Sequence, residues 1–170
     1  MYLMNTRPNI CFFVNTLSQF LVEPRRVHLV AARHVMRYLK GTIDYGLSYD
    51  GDHDFTLSGY TDSDWEGSVA NRKRTSGCCF SLGSAMISWQ SRKQSSVSLS
   101  TMEAEYIAAC SASCEAIWLR KLLIDLFDLE MRATMILCDN QSCIKMTKNP
   151  VFHDRSKHIE IRYHFIHDML

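Results

Sequence analysis

No stretch of this 170-residue sequence approaches the ~20 consecutive apolar residues that a helical membrane span requires, so no membrane association is expected. A basic start followed by an apolar run is also missing. Met1 leads through Asn5, Thr6 and Arg7 to Pro8, so no targeting signal is read and an intracellular protein is expected. Internal repeats and low-complexity tracts are absent, which excludes solenoids and compositionally biased linkers. The seven cysteines are odd in number and show no metal-ligand spacing. Cys78 and Cys79 are adjacent, so on a strand they point to opposite faces. A disulfide scaffold fits this pattern badly, and buried free thiols in a reducing compartment fit it well.

What is present suits one domain with an appendage. Hydrophobic residues make up 46% of the chain and charged residues 22%, enough to build a core and too apolar for disorder. The formal net charge of +1 hides an asymmetry. Residues 1–50 hold six Lys/Arg against three Asp/Glu, and residues 51–170 hold thirteen against fifteen. A slightly acidic region with tight basic clusters can pair an acidic site with cationic handles.

Arg7-Pro8 suits a first helical turn, and Ile10, Phe13, Val14, Leu17 and Leu21 follow at helical spacing. Beyond Pro24, the apolar set Val27, Leu29, Val30, Val35, Met36 and Leu39 predicts a second helix with Gly41 as its C-cap. Its basic residues read as a solvent face. Gly46 to Asp50 reads as a short extended piece and residues 51–54 as a turn. Phe55, Leu57 and Gly59 alternate with Thr56, Ser58 and Tyr60, which predicts a strand running into Asp62. Thr75 to Leu82 reads as a second strand with Gly77 as a candidate bulge, and Ala85 to Gln90 as a third after a Gly83-Ser84 turn. Short turns make the three an antiparallel meander. Ser91 to Ser96 reads as a polar loop, and Ser100-Thr101-Met102-Glu103 as a capping box opening a helix. A further helical stretch holds Ile117, Trp118, Leu122, Leu123 and Leu126, and the sequence leaves open whether Ser111 to Cys114 separates the two. Met135 to Cys138 lacks polar alternation and predicts a strand buried on both faces, ending in Asp139-Asn140. A short helix to Lys148 follows. Ile159, Tyr163, Ile166 and Leu170 then trace one more amphipathic helix.

Acids at strand ends are most often turn formers. Asp62 and Asp139, however, end two strands whose tips would lie ~5 Å apart if the strands were neighbours. Glu103 and Glu105 sit two apart on the helix and so point roughly 200° from each other. Glu103 has a capping role, which leaves Glu105 to face the sheet beside Asp62. Three converging carboxylates stay ionised only around a cation, and hard oxygen ligands select Mg²⁺ or Mn²⁺. Two such ions ~4 Å apart can activate water and stabilise a leaving oxygen in phosphodiester cleavage.

Tyr60-Thr61-Asp62, Ser100-Thr101-Met102-Glu103-Ala104-Glu105-Tyr106, Cys138-Asp139-Asn140 and the run Lys157-His158-Ile159-Glu160 to Ile166 together resemble the ribonuclease H domain of copia-type retrotransposon Pol polyproteins. Arg72-Lys73-Arg74-Thr75-Ser76-Gly77 and Ser88-Trp89-Gln90-Ser91-Arg92-Lys93-Gln94 belong to the same pattern, which runs from about Phe55 to the end. Residues 1–50 are similar to the helical connection that follows the reverse transcriptase in those polyproteins. The resemblance implies an α/β fold for residues 51–170: a ribonuclease H-like mixed sheet, three antiparallel strands then a parallel one, with flanking helices. It implies cleavage of the RNA strand of RNA–DNA hybrids with two Mg²⁺ or Mn²⁺ ions. Asp62 would bridge both metals, and Glu105 and Asp139 would hold the one near the leaving oxygen. Asn140 would contact substrate, as would Arg72, Arg74, Arg92, Lys93 and Gln94. Implied partners are the hybrid and the reverse transcriptase and integrase portions of the same polyprotein. The implied location is the cytoplasm or a virus-like particle.

The sequence departs from the family at one point. There the Lys-His-Ile helix is followed by a fifth strand and a helix bearing a fourth acid, whereas this sequence reaches only Leu170. The expectation is a sheet without its fifth strand and impaired cleavage. The alternatives are a hybrid-binding module that does not cut, or a degenerate element fragment. The reverse transcriptase motif Tyr-x-Asp-Asp is absent, so no polymerase is expected. Arg72, Lys73 and Arg74 read equally well as a solvated hairpin tip or as phosphate contacts. A zinc site from His164, His167, Cys138 and Cys143 is disfavoured, because the histidine spacing is short and Cys138 belongs to a strand.

Overall fold

The computed structural model describes residues 2–49, 51, 55–64, 73–128 and 130–148. The chain divides into two compact units, Met1–Gly51 and Asp52–Leu170.

In the first unit Pro8 opens a 3₁₀ turn, Pro8–Ile10, that leads into helix α1, Cys11–Ser18. Proline suits this position because its missing N–H would be unpaired there in any case. Helix α2 spans Arg26–Gly41, so Gly41 is its last residue and Thr42 takes the C-cap. Arg7 closes that end. Its buried guanidinium donates to the Thr42 and Tyr45 carbonyls at 2.9 and 3.1 Å and to the Thr42 hydroxyl. A cation suits the electronegative end of a helix. Residues 46–49, expected to be extended, belong to no strand.

In the second unit the alternation around Asp62 produces strand β1, Leu57–Ser63, with Leu57, Gly59, Thr61 and Ser63 buried. Strand β2, Thr75–Leu82, pairs with it antiparallel, and β3, Ala85–Lys93, pairs antiparallel with β2. Gly83, at φ 59°, makes the tight turn between them, a conformation open to glycine at little cost. The strand irregularity falls between Phe80 and Ser81 rather than at Gly77. Ser91, Arg92 and Lys93 extend β3 beyond its predicted end. Strand β4, Met135–Cys138, runs parallel to β1, giving the order β3-β2-β1-β4. The architecture is therefore α/β, a four-stranded mixed sheet with flanking helices, consistent with a ribonuclease H-like fold.

Helix α3, Thr101–Phe127, is continuous. The Ser111 and Ser113 hydroxyls donate to the Ile107 and Ala109 carbonyls four residues back, so these serines are absorbed within the helix instead of breaking it. Ala104, Ala108, Ala112 and Ala116, all buried, form one narrow ridge at four-residue spacing. This ridge helps bring the helix close to β1 and β2, around a core of Leu57, Phe80, Ala112, Ala116, Leu119 and Leu123. Phe80 lies over Gly59, its partner in register, and a Cβ on Gly59 would come within 2.5 Å of the ring. Ser88 and Gln90 of β3 each donate to the Glu115 carboxylate at 2.8 Å, a second tie between helix and sheet.

One sequence expectation is corrected in β4. The strand was expected to be buried on both faces, but Met135 is 60% exposed and Leu137 42%. It stands at the end of the strand order, with only Ile136 and Cys138 turned towards the helices. Among the described residues no helix is long and apolar enough to cross a membrane.

Candidate metal centre

Strand directions gather the chemistry at one end of the sheet. β1 and β4 are parallel, so Asp62 and Asp139 arrive at the same end. β2 starts there, next to Arg74, and β3 finishes there with Arg92 and Lys93. Helix α3 begins at the same end and brings Glu105 in its second turn.

The start of α3 is firmly held. Ser100 caps it, its hydroxyl accepting from the Glu103 N–H at 3.1 Å. Glu103 reaches back one residue beyond the usual box, accepting from the Leu99 N–H at 2.7 Å. Gln94 locks the same turn from the sheet side. Its buried carboxamide donates to the Ser76 hydroxyl at 2.8 Å and the Ala104 carbonyl at 3.0 Å, and accepts from the Ser98 hydroxyl at 2.7 Å. Ala104 directly precedes Glu105, so this one side chain joins β2, the loop and the site helix.

Glu105 is only 6% exposed, and its Oε2 is buried without a hydrogen-bond partner. Burial, together with the charges of Asp62 and Asp139, pushes its carboxyl up from 4.5 to about 7. The Ser63 N–H and Arg74 pull the other way. An unpartnered buried carboxylate among other acids is a costly arrangement that a bound cation would relieve.

Glu105, Asp139 and the Cys138 sulfur place one donor atom each within 4.8 Å of one another. Asp62 is not among these three. It is exposed, and its Oδ1 accepts from the Ser63 N–H at 2.7 Å, although its charge still acts on Glu105. The sequence reading weighed Cys138 only as a ligand of a disfavoured zinc site with His164, His167 and Cys143, not beside Glu105 and Asp139. The signal was there: Cys138 shares the inward parity of Ile136 and directly precedes Asp139.

Asn140 caps helix α4, Gln141–Lys148, its side-chain oxygen accepting from the Cys143 N–H at 2.9 Å. Its amide NH₂ remains as a donor. Arg92 is exposed at the β3 end, while Lys93 and Arg74 are half-buried. Gln94 points inward, as described. Asp64 follows β1, its N–H donating to the Thr75 carbonyl at 3.0 Å. Trp89 is half-buried. Arg72, Trp65, Glu160 and the histidines at 153, 158, 164 and 167 lie outside the described residues.

No family model matches the chain. Over 165 residues, 97% of its length, it is 44% identical to the retrovirus-related Pol polyprotein from transposon TNT 1-94 of Nicotiana tabacum. Over 169 residues, 99% of its length, it is 41% identical to the corresponding polyprotein from transposon RE1 of Arabidopsis thaliana. The chain spans 12% of each of these relatives. A shorter similarity, 45% over 120 residues, covers 84% of the secreted RxLR effector protein 161 of Plasmopara viticola and 70% of this chain.

Proposed function

We propose that this chain, homologous along nearly its whole length to retrotransposon Pol polyproteins, acts as a ribonuclease H that hydrolyses the RNA strand of RNA–DNA hybrids. The observation that carries the proposal is Glu105: a buried carboxylate with an unpartnered oxygen, under the charges of Asp62 and Asp139 at the end of a mixed sheet. Such a site is poised for divalent cations.

Asp62, Glu105 and Asp139 would hold Mg²⁺ or Mn²⁺, which when bound supplies charge neutralisation at the phosphate and activation of water. The chain's own residues do the rest. Ser63 N–H and Arg74 lower the cost of ionising Glu105. Gln94 and the Ser100 cap fix the turn from which Glu105 projects. Arg74, Arg92 and Lys93 stand at the same end of the sheet to meet backbone phosphates, which positions a strand without reading its sequence. The Asn140 amide nitrogen is directed by its capping bond and serves as a donor to substrate. Other portions of the same polyprotein are the proposed protein partners.

The test is incubation of a hybrid labelled separately in each strand with Mg²⁺ or Mn²⁺. Metal-dependent shortening of the RNA strand alone is expected. An RNA strand left whole at both metals would sink the reading, as would equal cleavage of both strands.

A further inference from the structure

Sulfur is out of place in a site built for Mg²⁺. Hard divalent ions take oxygen donors, whereas thiolates select softer ions such as Zn²⁺ and Cd²⁺. Yet the three donors that come within 4.8 Å of one another are Glu105, Asp139 and the sulfur of Cys138. Cys138 and Thr61 are paired in register, so Cys138 lies next to β1 on the face turned towards α3. Cys138 lines a cavity of about 450 Å³ between α3, β4 and α4. A second thiol, Cys143, hydrogen-bonds to it from α4. Outer-shell partners of this kind orient a metal-ligating side chain.

We infer that Glu105, Cys138 and Asp139 form a mixed sulfur–carboxylate site that binds a thiophilic divalent cation of the Zn²⁺ or Cd²⁺ class. The ion would share two of its ligands with the Mg²⁺ centre. A tetrahedral ion with arms of about 2.0–2.3 Å holds its donors roughly 3.3–3.8 Å apart, so the cluster need close by no more than about 1.5 Å. Asp139 is exposed just beyond the end of β4 and can make that movement at little cost. Three protein donors leave a fourth position for water, and the buried, unpartnered Oε2 of Glu105 supplies a reason for an ion to be held. Zn²⁺ and Mg²⁺ then exclude each other, because both need Glu105 and Asp139. Inhibition of hybrid cleavage by Zn²⁺ rests on the nuclease reading above; the binding itself does not.

The experiment is a titration of the full chain with Cd²⁺, followed by the ultraviolet charge-transfer absorption that appears only when sulfur ligates the ion. The six other thiols give a background, so the readout is the difference between wild type and Cys138→Ser. The difference band is expected to saturate and to be displaced by Zn²⁺. Glu105→Gln keeps the thiol and is expected to weaken the wild-type band's affinity by about tenfold or more. Thermal melting checks that each variant is folded, with Cys138→Ala as the substitute if Cys138→Ser is not. A titration identical in wild type and the Cys138 variant would assign the ion to other thiols and overturn the proposal. So would an affinity indifferent to Glu105→Gln. Because no arm requires turnover, an inactive nuclease with an intact band would refute the catalytic reading and leave this one standing.

Discussion

Glu105 combines burial with ionisation near neutrality, and both have measurable consequences. In the metal-free folded chain its carboxyl keeps a proton up to about pH 7, whereas its ordinary value is 4.5. Between those values the folded state binds more protons than the unfolded one, so stability falls as pH rises and the loss is complete above 7. The upper bound on that loss is ~3 kcal/mol. Denaturant melts without metal, at pH 5 and pH 8, should show wild type losing stability that Glu105→Gln retains. Divalent binding has the opposite sign: affinity for Mn²⁺ should climb as pH rises through 7, since proton and metal compete for the same oxygens. Gln94 is the other residue with a distinct signature. Gln94→Ala removes three hydrogen bonds and leaves the Ser98 hydroxyl and the Ala104 carbonyl buried without them. A cost of about 1–3 kcal/mol is expected in chemical denaturation. The family resemblance implied Gln94 as a substrate contact, on the segment leading from the third strand to the helix of Glu105. Residue type gives the capacity to bond but not the side of the sheet on which it is spent.

At the scale of elements, the legible parts were those with a period or a cap. The alternation through β1 and the Ser100 cap of α3 each leave a local signature, and each is where the pattern puts it. Continuity and exposure were harder to read. Ser111 to Cys114 resembles a break because serine competes for backbone hydrogen bonds, and only the i−4 bonds of the folded helix show that competition satisfied within it. Met135 to Cys138 looks doubly buried because it is wholly apolar, but burial depends on neighbours, and β4 stands at the end of the strand order. The contact between Phe80 and Gly59 is equally invisible in sequence and has its own prediction. Gly59→Ala must displace the Phe80 ring, so thermal melting should report a loss of about 1–3 kcal/mol.

Across the second unit, two antiparallel steps and one parallel crossover bring two strand ends with acids, two basic strand tips and a helix start to one end of the sheet. The proposed cleavage draws on that gathering through two kinds of contribution. Hybrid affinity should weaken steeply with salt through Arg74, Arg92 and Lys93, and Arg92→Ala should lower the slope of log affinity against log salt by roughly one phosphate's worth. Cleavage should depend on the carboxylates. Asp62 is the most informative of them, because it acts on Glu105 by charge while standing outside the three-donor cluster. The direct measurement is RNA-strand cleavage of a hybrid in Mg²⁺, wild type against Asp62→Asn, at matched hybrid occupancy. A loss on the order of a hundredfold or more with binding intact is expected; cleavage undiminished in Asp62→Asn would remove Asp62 from the mechanism.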